Sequence, residues 1–126
     1  MRGVFLDTHV VVWLYQGDVE KLSTSAQAAI EANELLISPA VKLELGYLHE
    51  LKRVVQPPYV VITDLATKIG LLVDDAGFER VVEGALAIRF TRDPFDRLIV
   101  AQAQVSASSL VTKDRVIRKH YAHALW

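Results

Sequence analysis

Short apolar runs alternate along the chain with longer segments of mixed polarity. The runs at 3–6 (GVFL), 34–38 (ELLIS) and 109–112 (SLVT) are bounded by polar residues or proline, and each predicts a buried strand. The segment at 70–75 (GLLVDD) predicts a further brief strand. Strands of this kind that alternate with helices indicate a parallel sheet covered on both faces. The pattern therefore predicts a single α/β domain over residues 1–126.

Capping residues and helical periodicity fill the interval between the first two strands. Thr8 is placed to cap a first helix that stops at Gly17. Ser23 or Thr24 is placed to cap a second, alanine-rich helix, and Thr24 with Gln27 has the spacing of a capping box. Two helices are therefore expected before the second strand.

Prolines set the boundaries that follow. Pro39 suits the first turn of a helix over 40–53. The Pro57–Pro58 pair predicts that the next segment is extended, and Thr63 or Asp64 is then placed to cap a short helix.

The last third of the chain has clear helix signals. Residues 78–88 have helical periodicity. Asp93 is a suitable N-cap, and Pro94 suits the first position of a helix that runs to about Ala107. Asp114 is predicted to begin a terminal helical turn.

Composition limits the class of protein. Hydrophobic residues make up 52% of the chain and charged residues 23%, as in folded globular proteins, and the net charge of −1 argues against a basic nucleic-acid-binding tail. The lack of cysteine excludes disulfides, thiolate metal sites and cysteine nucleophiles. No apolar run reaches the roughly 20 residues of a membrane helix. Because the sequence also lacks a signal-peptide pattern, we expect a cytoplasmic protein without membrane association.

Four carboxylates are placed to meet at one edge of the predicted sheet. Asp7 follows the first strand, and Asp114 comes two residues after the last predicted strand. Asp96 lies in the first turn of one predicted helix and Glu44 in the second turn of another. Ligands of open α/β sheets bind outside the carboxyl ends of the strands, so these acids are candidates for a shared site.

Each acid also has an ordinary structural interpretation. Asp7 and Asp114 fit strand-end turns, and Asp96 near a helix start is favoured by the helix dipole alone. Asp93 is most simply an N-cap. Glu44 is less easily explained, because apolar residues bracket it on its helix and a carboxylate near a buried face needs a partner.

A cluster of carboxylates favours a hard divalent cation. Like charges repel, so several carboxylates at one place need a cation to persist, and oxygen ligands without cysteine or paired histidines select Mg²⁺ or Mn²⁺ over zinc. Such a site activates water and stabilises charge on a phosphoryl group. Hydrolysis of a phosphodiester is the chemistry that it suits best.

Four stretches of the sequence resemble the acidic motifs of the PIN domain, and more narrowly of the VapC-type toxins: FLDTHVVVW, SPAVKLELG, TRDPFDRLIVAQA and LVTKD. The resemblance spans essentially the whole chain and implies a three-layer α/β/α fold around a central parallel sheet. It further implies a Mg²⁺- or Mn²⁺-dependent endoribonuclease that acts on RNA. A toxin of this kind is neutralised by a small VapB-like antitoxin and is usually a homodimer.

The resemblance also assigns roles to residues, matched motif by motif. The catalytic and metal-binding quartet is Asp7, Glu44, Asp96 and Asp114. Asp96 matches better than Asp93, because it directly precedes the RLIVAQA segment.

Several further residues are candidates for lesser roles. The supporting residues are Asp93, Thr8 and Thr112, although capping and strand packing explain the threonines equally well. The RNA-binding candidates are Arg92, Arg97 and Arg115, with Arg118 and Lys119 also near the acidic edge. Arg97 has the alternative of pairing with Asp93 or Glu44. His9 is assigned a structural or solvent-facing position, and Trp13, Tyr47 and Trp126 are assigned to the core or an interface rather than to base stacking.

Two other functions compete with the toxin ribonuclease. One is a metal-dependent nuclease or phosphatase acting on another substrate, although LDTH lacks the second aspartate of haloacid-dehalogenase-like phosphatases. The other is a catalytically inactive PIN-like binding module, against which the presence of all four acids weighs.

Overall fold

Every strand of the central sheet runs parallel to its neighbours. In the computed structural model, which describes residues 3–126, the sheet has five strands in the order β3-β2-β1-β4-β5. The strands are β1 (Val4–Leu6), β2 (Leu35–Ile37), β3 (Leu72–Val73), β4 (Ser109–Val111) and β5 (Ala124–Leu125). The predicted parallel α/β fold is confirmed.

Helices occupy the connections between the strands. They are α1 (Thr8–Gln16), α2 (Thr24–Ala32), α3 (Pro39–Glu50), α4 (Pro58–Ile69), α5 (Phe78–Ala87), α6 (Pro94–Val105) and α7 (Arg115–His120). Strands β1 and β2 are buried along their whole length, as is expected for a sheet covered on both faces. None of the helices within 3–126 is both long enough and apolar enough to span a membrane.

The order of the strands creates a crevice next to β1. The chain passes outward from β1 to β2 and β3, then returns through α5 and α6 to place β4 on the other side of β1. Open α/β sheets bind ligands where the strand order reverses in this way. The register pairs Leu6 with Val111, so the residues that leave β1 and β4 emerge side by side at the carboxyl edge.

The predicted cap of α1 is wrong by one residue. Asp7, and not Thr8, is the N-cap: its backbone is extended, and its Oδ1 accepts a hydrogen bond of 2.8 Å from the Thr8 backbone N–H. The stop at Gly17 is confirmed by its left-handed φ of 76°. Asp7 thus combines the end of a strand with the start of a helix.

Ser23 is the N-cap of α2, and its Oγ accepts a 3.0 Å hydrogen bond from the Ala26 N–H. Gln27 does not complete a capping box with Thr24. Its side-chain amide instead donates to the carbonyls of Val19 and Leu22, which belong to a 3₁₀ turn that the sequence pattern did not predict.

The segment that follows Pro57 is helical, and the prediction of an extended chain there is wrong. Helix α4 begins at Pro58, and neither Thr63 nor Asp64 caps it, since both lie in its interior. A proline at the first helical position loses no hydrogen bond, because the N–H of that position has no partner within the helix. Burial of Val61 and Leu65, one turn apart, then favours the helix.

Candidate active site

All four predicted acids line one cavity of about 310 Å³ at the carboxyl edge of the sheet: Asp7, Glu44, Asp96 and Asp114. Thr8, His9 and Arg53 contribute polar atoms to the same cavity, and Val12, Trp13, Leu48 and Val54 form its apolar wall. The acids come from four separate segments, as the sequence pattern predicted. Their assignment as catalytic residues stays a prediction.

Asp7 is the most deeply placed of these acids, with 4% of its surface exposed. Its Oδ1 caps α1, and its Oδ2 accepts a 2.7 Å hydrogen bond from the hydroxyl of Thr112. The Asp7 backbone N–H donates to the carbonyl of Val111 and continues the ladder between β1 and β4 by one bond. The carboxylate is therefore held on both oxygens.

Glu44 reaches the cavity from the second turn of α3. Its Oε1 accepts a short hydrogen bond from the hydroxyl of Thr8. Burial raises the pKa of Glu44, and the charges of Asp7 and Asp93 add to the increase, while the Thr8 hydrogen bond opposes it. Thr8 thereby supplies the partner that a carboxylate bordering an apolar helix face requires.

Asp96 has the most perturbed pKa in the site. Burial, together with the charges of Asp7, Asp93, Asp114 and Glu44, raises this pKa from an ordinary 3.8 to about 7, and burial is the largest of these causes. Helix α6 presents Asp96 to the cavity because Asp93 fixes the start of the helix. The Oδ1 of Asp93 accepts from the N–H groups of Phe95 and Asp96, at 2.8 and 3.1 Å. Asp93 is thus the N-cap that the sequence predicted, and it does not line the cavity.

Asp114 is the N-cap of α7. Its Oδ1 accepts from the N–H groups of Val116 and Ile117, both at 2.9 Å. Its own N–H donates to the hydroxyl oxygen of Thr112 at 3.0 Å. Thr112 is fully buried and connects Asp114 to Asp7, so the two predicted supporting threonines each contact a predicted acid.

His9 lies in the cavity, which the sequence assignment to a structural or solvent-facing position did not anticipate. The backbone N–H of Lys113 donates to its Nε2 at 2.9 Å, so the ring proton resides on Nδ1. That Nδ1 lies 3.7 Å from Oδ2 of Asp7. Burial lowers the pKa of His9, an effect that Asp7 and Asp114 oppose. The ring of His9 thus lies beside Asp7.

Arg53 is the cationic residue of the cavity wall that the sequence analysis missed. Helix α3 ends in a Schellman turn, in which the Arg53 N–H bonds to the carbonyl of Leu48 and the Lys52 N–H to that of His49. Lys52 occupies the left-handed position, with φ of 61°. Glycine usually marks this turn, so a lysine there gives no sequence signal that the chain folds back and carries Arg53 to the cavity.

The predicted RNA-binding arginines have different positions. Arg92 and Arg115 are exposed, and neither they nor Arg97 line the cavity. The Nε of Arg97 donates to the carbonyl of Thr91 at 2.7 Å, which braces the loop before α6. Neither Asp93 nor Glu44 pairs with Arg97 among the ion pairs of residues 3–126.

The donor set of the cavity suits a hard cation, although its side chains are not gathered into a cage. Within residues 3–126, no three carboxylate or imidazole groups converge closely enough to hold a metal ion without side-chain movement. The charges of the neighbouring acids nonetheless contribute to the raised pKa values of Glu44 and Asp96, and the pKa of Asp96 is raised by the charges of the other three. A divalent cation relieves this repulsion, and oxygen donors are those that Mg²⁺ and Mn²⁺ prefer.

Comparison with known proteins agrees with this geometry. The family model described as "PIN domain" matches residues 4–122. The chain is similar to Ribonuclease VapC22 of Mycobacterium tuberculosis (strain ATCC 25618 / H37Rv), with 37% identity over 124 residues that cover 95% of this chain and 93% of the relative. Its fold is similar to that of VapBC2 from Rickettsia felis bound to a promoter DNA fragment, with a TM-score of 0.62, 16% identity and 98% of each chain covered. The chain belongs to the PIN-domain family.

Proposed function

We propose that this protein is an endoribonuclease that depends on Mg²⁺ or Mn²⁺ and acts as the toxin of a toxin–antitoxin pair. The observation that carries the proposal is the single cavity lined by four carboxylates, at the point of the sheet where the strand order reverses. The similarity to Ribonuclease VapC22 supports RNA as the substrate.

The cation would be held by Asp7, Glu44, Asp96 and Asp114. When bound, such an ion activates water and stabilises the charge that develops on the phosphoryl group. The protein's own residues keep these ligands in place. Thr112 and the Thr8 backbone hold Asp7, and the Thr8 hydroxyl holds Glu44.

Two other residues contribute to substrate handling. Arg53 lines the cavity, and a guanidinium is the side-chain group that makes bidentate contacts with phosphate oxygens. The Nε2 of His9 accepts the backbone N–H of Lys113, so the lone pair of the neutral ring is occupied and the ring is not a free base.

The proposed partner is a small VapB-like antitoxin, as the similarity to the Rickettsia felis VapBC2 structure suggests. We also propose that the protein forms a homodimer, as is usual for the toxins that its sequence resembles. Co-expression with the product of the adjacent reading frame, if that frame encodes a small antitoxin-like protein, followed by size-exclusion chromatography with light scattering, measures both assemblies.

Cleavage of a structured RNA by the purified protein tests the enzymatic proposal. We expect cleavage with Mg²⁺ or Mn²⁺, none in excess chelator, and none for Asp96→Asn in either condition. Asp64→Asn is the matched control, because Asp64 is an acid in a surface ion pair with Lys68 on α4. Full activity in chelator, or in Asp96→Asn, would overturn the proposal.

A further inference from the structure

An aromatic cluster extends from the wall of the acidic cavity to the surface. Its members are His9 and Trp13, which line the cavity, and Trp126, which lies beyond them. The ring centres of Trp13 and Trp126 are 6.1 Å apart, and His9 lies 5.1 Å from Trp13 and 6.4 Å from Trp126. Both indoles are only partly buried. Both tryptophans also pack against the hydrophobic core, as the sequence assignment to the core or an interface predicted.

Two lysines converge on the same cluster. The Nζ atoms of Lys21 and Lys113 each lie 5.8 Å from the centre of the Trp13 ring, within the range of a cation–π contact. The Lys21 side chain is 50% exposed, and Lys113 is exposed as well. The Trp13 ring is partly exposed beside the cavity, and the two ammonium groups border it.

The cluster is fixed to the acidic site through the backbone. Strand β5 pairs with β4, and the Thr112 N–H donates to the carbonyl of Leu125 at 3.0 Å, which places Trp126. Thr112 is also the residue whose hydroxyl holds Asp7. The aromatic surface and the acids therefore keep a constant relative position.

We propose that His9, Trp13 and Trp126 form a base-stacking subsite for unpaired nucleotides of a single-stranded RNA, with Lys21 and Lys113 binding the adjoining phosphates. This inference rests on the proposed ribonuclease function, which it deepens by specifying the form of the substrate. Open indole rings next to ammonium groups are the combination that binds single-stranded nucleic acid, since every base has a face that stacks. The subsite continues directly into the carboxylate cavity, so a strand stacked on it presents its backbone to the acids.

Intrinsic fluorescence gives a direct readout of this subsite, because the chain has only two tryptophans and both belong to the cluster. The full-length protein is titrated in chelator, which prevents metal-supported cleavage, with an unstructured oligouridylate or with a duplex RNA of equal length. We expect quenching by the single strand and little by the duplex, whose bases are already stacked. Equal quenching by both would overturn base stacking and leave only phosphate attraction.

Substitutions at the cluster test its contribution to affinity. We expect Trp126→Leu to weaken binding of the oligouridylate about ten-fold or more, and Trp126→Phe to restore part of it. Tyr59→Leu is the matched control, since Tyr59 is 68% exposed on α4 and does not line the cavity. Affinity in Trp126→Leu within about two-fold of the wild type would refute the subsite.

The lysines provide a second test that does not disturb the packed rings. Lys21→Ala should lower affinity and reduce the slope of log affinity against log salt by about one, as for the loss of one phosphate contact. Lys68→Ala is the control, because Lys68, like Lys21, forms a surface ion pair with a nearby aspartate. If the slope of log affinity against log salt is unchanged in Lys21→Ala, Lys21 does not bind a phosphate of the RNA.

The two proposals fail in distinguishable ways. If Trp126→Leu cleaves RNA with the KM of the wild type, the stacking subsite is refuted and the ribonuclease function stands. If the oligouridylate quenches tryptophan fluorescence more than the duplex does but neither Mg²⁺ nor Mn²⁺ supports cleavage of any RNA, the ribonuclease function is refuted and the stacking subsite stands.

Discussion

The hydroxyl of Thr112 donates a buried hydrogen bond of 2.7 Å to Oδ2 of Asp7. The two residues follow adjacent parallel strands, and the same hydroxyl oxygen accepts the N–H of Asp114. One side chain thus fixes two of the acids of the candidate site relative to each other.

Replacement of Thr112 by valine should therefore damage both stability and activity. Valine keeps the shape of threonine but leaves the buried Asp7 oxygen and the Asp114 N–H without their partner, at a cost of about 1–3 kcal/mol in the free energy of unfolding. Urea denaturation measures that cost, and Thr112→Ser should recover most of it. Thr67→Val is the control, because the Thr67 hydroxyl bonds to the Thr63 carbonyl on an exposed face. A Thr112→Val protein as stable as the control would show that the contact is dispensable.

Asp96→Asn should stabilise the metal-free protein in a manner that depends on pH. The pKa of Asp96 is raised to about 7 in the folded protein from 3.8, so its ionisation destabilises the fold increasingly between those pH values. Asparagine removes that cost. We expect no difference below about pH 4 and a gain on the order of 1 kcal/mol above pH 7, which is well short of the full pKa shift because water screens the partly exposed carboxylate. Denaturation in chelator across this range measures the difference, and a gain independent of pH would contradict ionisation of Asp96 as its cause.

Asp93→Asn and Asp96→Asn should separate a capping role from a site role. Asparagine caps a helix about as well as aspartate, so Asp93→Asn should retain most of the ribonuclease activity. Asp96→Asn should abolish activity while the fold is kept, because it removes a charge from the cavity and little volume. Initial rates at saturating Mg²⁺, with circular dichroism to check folding, measure both variants. Equal losses would show that the two aspartates do not divide these roles.

Lys52→Gly should stabilise the protein. Lys52 holds a φ of 61°, which costs an L-residue about 1 kcal/mol and glycine almost nothing. We expect the free energy of unfolding to rise by up to about 1 kcal/mol, with Arg53 kept in position. Lys68→Gly is the contrasting variant, because in the last turn of the α4 helix it should lower stability by up to about 1 kcal/mol. Chemical denaturation measures the free energy of unfolding of both variants. A lower free energy of unfolding in Lys52→Gly as well as in Lys68→Gly would rule out strain at Lys52.

The signals that succeeded in the sequence were local. The apolar run before Asp7 predicts a strand, and the Asp-Pro pair at 93–94 predicts the start of a helix. Both elements, and the acids that follow them, were therefore predictable. Glu44 and Asp96 were predicted to reach the same edge because parallel strands and their helices share a direction.

The features that were missed depend on contacts distant in sequence or on an unusual residue. A helix begins at Pro58 because buried residues of α4 pack on the core, which a local rule for proline does not detect. Strand β5 is two residues long and exists only through pairing with β4. Arg53 reaches the cavity because Lys52 adopts a left-handed backbone conformation. A glycine at that position would have predicted the turn from the sequence, and a lysine does not.

The pairing of β1 with β4 has a consequence for the timing of synthesis. Asp7 and Thr112 are separated by 105 positions in the chain, and β5 closes the sheet later still. A ribosome therefore releases Asp7 105 residues before Thr112, and non-local strand pairing of this kind forms slowly. The nascent chain accordingly lacks an assembled site until Thr112 and Asp114 have been synthesised, and this delay separates synthesis of the first acid from the onset of any activity.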